Sequence, residues 1–81
     1  MPKVQRSSIP PELLQHLLRR AREREITLEM LHQVLHWVEE NPTVPEGDWF
    51  KRFPGVIVCG RDALIRTFLT PRQTAVGTEV E

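Results

Sequence analysis

The sequence predicts an α+β domain, with two N-terminal helices packed on a small antiparallel sheet of three to four strands. Three observations carry this. Apolar residues recur at helical spacing from about residue 10 to residue 40, and at strand spacing from 49 to 69. Between them "NPTVPEGD", residues 41–48, is rich in turn formers and separates the two periods. At 81 residues the chain holds one hydrophobic core and one domain, 1–81.

The first helix is expected over about 10–25. In "SSIPPELL" Ser7 or Ser8 is placed to cap, Pro10 and Pro11 suit the first turn, and Glu12 complements the helix dipole. At 100° per residue Leu14, Leu17, Leu18 and Ala21 fall within an arc of about 100°, a core-facing stripe. His16 and Arg20 stand at its edge, about 40° apart, and Arg24 extends their row. Thr27 reads as the N-cap of a second helix over about 28–40, with Glu29 in its first turn. Leu28, Met30, Leu31, Val34, Leu35, Trp37 and Val38 take one half of that helix. Glu29, His32, Gln33, His36 and Glu39 take the other. Asn41-Pro42 ends it.

Strands follow at about 49–53 ("WFKRF"), 56–60 ("VIVCG") and 64–69 ("LIRTFL"), with Pro54-Gly55 and "GRDA" as turns. A short fourth strand is expected near 74–80, within a polar tail of residues 70–81 that frays at its end.

Charge is unevenly distributed. Residues 1–26 carry six cations against three carboxylates, and residues 27–48 carry five carboxylates and no Lys or Arg. Residues 49–72 then hold Lys51, Arg52, Arg61, Arg66 and Arg72 against Asp62 alone. Cations on the first helix and the hairpins point to a polyanion-facing side. A single cysteine, Cys59, excludes an intrachain disulfide and fits a reducing, cytoplasmic setting. The chain has no run resembling a signal peptide or a membrane span, so no membrane role is expected. A domain this small is marginal alone, which leaves room for a homodimer or another protein partner.

Most catalytic classes lack their residues. His32 and His36 have the i, i+4 spacing of a shared metal, but Gln33 stands where a zinc protease needs Glu and no third ligand follows. They read as a solvated helix face. Cys59, mid-strand among apolar neighbours, reads as a small buried hydrophobe. No Gly-rich phosphate loop, nucleophile elbow or carboxylate pair is present, and no metal or cofactor is implied. Histidine and arginine remain, and cleavage of RNA needs little else. A base takes the ribose 2′-hydroxyl proton, cations stabilise the phosphorane and an acid protonates the leaving oxygen. An imidazole suits the proton transfers, and a guanidinium fork suits the phosphate.

"HLLRRAREREIT", residues 16–27, resembles the first-helix pattern H-x-x-x-R-x-x-E-R-G-I-T of small toxins in the RelE/barnase/colicin D-like ribonuclease superfamily. His16, Arg20, Glu23, Arg24, Ile26 and Thr27 fall in register, and Glu25 replaces the glycine, which predicts a different interhelical bend. The basic strand, the "VIVC" strand and Ile65-Arg66-Thr67-Phe68 extend the resemblance over about residues 12–70. It implies a metal-independent endoribonuclease acting on single-stranded or tRNA-like RNA, leaving a 2′,3′-cyclic phosphate, with a cognate antitoxin as partner. His16 would transfer protons, and Arg20 and Arg52 would bind phosphate. Lys51, Arg61, Arg66 and Thr67 would line the substrate groove. Phe50 and Phe53 beside the cations suit stacked bases, and Trp49 is either a further platform or core. Arg66 and Thr67 are expected on opposite faces of their strand, and only one of Lys51 and Arg52, taken to be Arg52, shares the site's face. The alternatives are a non-catalytic protein-interaction module of the same fold and a nucleic-acid binder without turnover.

Overall fold

The structure, a computed structural model, describes residues 1–23 and 25–81. Helix α1 spans Pro11–Arg22 and α2 spans Leu28–Glu39. Strands β1 (Asp48–Phe53), β2 (Val56–Arg61), β3 (Leu64–Leu69) and β4 (Thr78–Val80) form one sheet in the order β3-β2-β1-β4.

Several local features follow the sequence closely. The Thr27 hydroxyl accepts the Met30 N–H at 3.1 Å, closing the α2 N-cap. Asn41, with φ 51°, ends α2 in the left-handed conformation that asparagine tolerates. Between the helices the Glu25 N–H donates to the Arg20 carbonyl at 2.8 Å.

The start of α1 differs from expectation. Ser7 and Ser8 belong to a single 3₁₀ turn, Arg6–Ser8, and Pro10 is the residue before the helix, with no side-chain cap. Ahead of that turn the chain pairs with the loop after α2. Val4 donates to the Pro42 carbonyl and Val44 to the Pro2 carbonyl, both at 2.9 Å, and both valines are fully buried. Polar pairing of the backbone frees their side chains for the core.

Both helices cover one sheet face. From β1, β2 and β3 that face presents Trp49, Phe53, Val56, Val58, Ile65 and Phe68, packed against Leu17, Leu31, Val34 and Val38. Leu13 joins this core from α1, whereas Leu18 and Leu28 are exposed. The indole of Trp49 lies over Gly60 of the neighbouring strand, where a Cβ would collide with the ring and with the Leu64 carbonyl. Glycine is required there by close approach.

The sheet is mixed, not wholly antiparallel. Strand β4 lies parallel to β1, pairing Trp49 with Thr78 and Lys51 with Val80. The chain leaves β3 at one edge and reaches β4 at the other, so residues 70–77 cross the sheet. A turn in which the Gln73 side chain accepts the Thr70 N–H at 2.9 Å opens this crossing. Gly77 closes it, with φ 112° and its Cα packed so tightly on the Asp48 backbone that no Cβ fits.

Candidate functional site

The β2–β3 ladder shifts register between Cys59 and Gly60, which oppose Thr67 and Ile65. Arg66 is the extra residue of a β-bulge. Alternation is lost there, so Ile65 and Phe68 are both buried while Arg66 and Thr67 are both exposed. The expectation that these two lie on opposite faces is thereby corrected. Both border one cavity of about 310 Å³ on the sheet face away from the helices, together with Cys59, Arg61, Thr74 and Val76. Asp48 also borders it, 4.0 Å from the Arg61 guanidinium. Burial raises the Cys59 thiol pKa, which keeps that sulfur protonated and a poor nucleophile.

Arg66 faces a second cavity as well, shared with Ser7, Ser8, Arg61 and Leu64. The residues leading into α1 thus lie beside the start of β3. Near the other end of the helix the Arg20 guanidinium donates to the Phe68 carbonyl at 3.5 Å and stands 3.7 Å from Glu25. The helix therefore runs alongside β3, with Arg20 turned to the strand. His16, one turn earlier on the same side, is exposed. Among the described residues no hydrogen bond or ion pair joins it to Arg52, Arg61 or Arg66. Arg24 of the same row lies outside the described residues.

Lys51 and Arg52 part as strand geometry requires. Lys51 turns to the helix side, its ammonium 5.7 Å from the Trp37 ring and 5.4 Å from Phe53. Arg52 takes the other face, 5.5 Å over Phe50 and 3.7 Å from Glu79 on β4. Neither phenylalanine is an open stacking platform. Phe50 is buried, and Phe53 packs edge-on to Trp37 at 6.0 Å. Trp49 is core, fully buried, with its indole N–H donating to the Asp62 carbonyl.

The predicted site residues thus fall into three groups. Arg61, Arg66 and Thr67 share a cavity; His16 and Arg20 share a side of α1 next to β3; Lys51 and Arg52 stand apart from both. The sequence reading missed Thr74 and Val76 as cavity residues, because a crossing segment of irregular backbone has no periodicity to place it, and Asp48, because it read as the end of the turn-rich loop. Among the described residues no cluster of three metal-ligating side chains forms, and no helix is long and apolar enough to cross a membrane. No family model, curated protein or solved structure matches this chain.

Proposed function

We propose that this chain is an RNA-directed domain of the metal-independent ribonuclease type, the activity implied by the resemblance of its first helix. The observation that supports it best is the bulge at Arg66. It sets a guanidinium out from the strand beside which α1 lies, and α1 carries His16 and Arg20 on its β3 side. Arg61 and Arg66 bind a phosphate of the RNA strand away from His16, on the outer sheet face. Arg20 is held against β3, and its long contact with exposed Glu25 is weak enough to give way to a phosphate oxygen. Arg52 has the same relation to Glu79. His16, exposed and unpaired among the described residues, exchanges the proton of the 2′-hydroxyl. Attack of that oxygen on phosphorus expels the 5′-oxygen, which takes a proton from water to leave as a 5′-hydroxyl, and leaves a 2′,3′-cyclic phosphate.

The test is cleavage of single-stranded and tRNA-like RNA by purified protein. The native chain should cut in the presence of chelator, and His16→Ala should cut about 10²–10⁴-fold more slowly with RNA affinity retained. Full activity in His16→Ala would remove the histidine from the mechanism. A second reading, a non-catalytic protein-interaction module, is favoured by one feature. Strand β3 is a six-residue sheet edge, suited to pairing with a partner strand. RNA neither bound nor cut would select it.

A further inference from the structure

The cavity between the outer sheet face and residues 70–77 joins three chemistries. Its wall is apolar, formed by Val76, Leu69 and the backbone of Gly60. Two guanidiniums, Arg61 and Arg66, stand on it. The Asp48 carboxylate and the Thr67 and Thr74 hydroxyls complete the lining. A bare anion would suit the arginines but would meet Asp48, whose charge already offsets Arg61 at 4.0 Å. A purely apolar ligand would leave both exposed guanidiniums to water and make no use of them. The lining calls for one molecule with a flat apolar body, hydrogen-bond donors on one edge and a negative group on the other.

We infer that this cavity is a nucleotide subsite: the base lies on the Val76 side with its amino or imino N–H donating to Asp48 or a threonine, and the phosphate bridges Arg61 and Arg66. The volume, about 310 Å³, lies at the lower limit of small-molecule sites and admits one nucleotide rather than several. The frame is built into the fold. The bulge delivers Arg66 and Thr67 to one face, and Gly77 holds the crossing segment against Asp48. This inference rests on the RNA-directed reading and adds to it where one residue of the strand is held, away from His16.

The same chemistry occurs in a free nucleotide and in an RNA residue, so the experiment has separate arms. The ¹⁵N-labelled native chain is titrated with a 5′-mononucleotide, a short single-stranded oligoribonucleotide, and sodium phosphate, while the backbone amides are followed by NMR. Both nucleotide ligands should shift Cys59, Thr67, Thr74 and Val76, with the oligoribonucleotide binding more tightly, and phosphate should shift at most Arg61 and Arg66. Arg66→Gln should weaken the mononucleotide about tenfold, the loss expected for a charged hydrogen bond. Nucleotide shifts confined to the arginines would reduce the site to an anion contact and overturn the inference. Equal affinity for mononucleotide and oligoribonucleotide would overturn its assignment to an RNA residue. Oligoribonucleotide binding, seen by fluorescence anisotropy, without change at the cavity amides would sink the subsite alone. No binding in any arm would sink both readings.

Discussion

The indole N–H of Trp49 donates to the carbonyl of Asp62 at 2.8 Å, tying the largest core side chain to the turn between β2 and β3. The same aspartate exchanges bonds with the entrance to β1: its N–H donates to the Gly47 carbonyl at 3.0 Å, and its carboxylate accepts the Gly47 N–H at 2.8 Å. One residue thus fixes the turn, the indole and the start of the central hairpin strand, next to the proposed nucleotide subsite.

Asp62 also has φ 52°, which asparagine and aspartate tolerate better than alanine. Asp62→Asn keeps the acceptor and should change stability by under about 0.5 kcal/mol, whereas Asp62→Ala should cost about 1–3 kcal/mol. Urea denaturation of the two variants checks this, and equal stability would remove the clamp.

Gly60→Ala places a methyl against the Trp49 ring, on a side chain with nowhere to move. A loss of about 1–3 kcal/mol is expected, with altered tryptophan fluorescence in the folded state. An unchanged melting temperature would contradict the close approach.

At the α2 N-cap, Thr27→Ala should cost about 0.5–2 kcal/mol and Thr27→Ser much less, because only the hydroxyl is needed. By contrast, Arg6→Ala, which breaks the exposed pair with Glu39 at 3.0 Å, should change stability by under about 1 kcal/mol. Thermal unfolding of the three proteins ranks them.

Cys59 gives a pH prediction. Its pKa is raised by burial, so its protonated form is favoured on folding. Any stability it contributes is complete below the ordinary cysteine range and is lost as pH rises through the folded-state value. Alkylation by iodoacetamide should therefore be slower than that of a free thiol at neutral pH and accelerate only above the usual range. Rapid labelling at pH 7 would contradict this.

The helices and hairpins were legible because each rests on local signals. Leu14, Leu17 and Ala21 mark a face, Thr27 and Asn41 mark ends, and Pro54-Gly55 marks a turn. The site was less legible. A bulge with arginine as its extra residue has no glycine to announce it, so strict alternation misplaced Arg66 relative to Thr67. The parallel pairing of β4 depends on a crossing that polar residues make without periodicity. Val4 carries no local signal for its burial, because its hydrogen-bond partner Pro42 lies far along the chain and only the folded loop joins them. Leu18 satisfied the helical stripe, yet it is exposed.

The register shift in β3 also bears on how this chain tolerates changes in length. Ile65 and Phe68 are three positions apart, a spacing that in a regular strand sends side chains to opposite faces, yet both are buried. Removing residue 66 would bring them to a spacing of two, which plain pleated geometry places on one face. Single-residue deletions inside strands usually invert every side chain beyond them. Here a deletion would leave the core in phase and discard only the arginine, so the proposed nucleotide contact can be removed by one codon without inverting the rest of the strand.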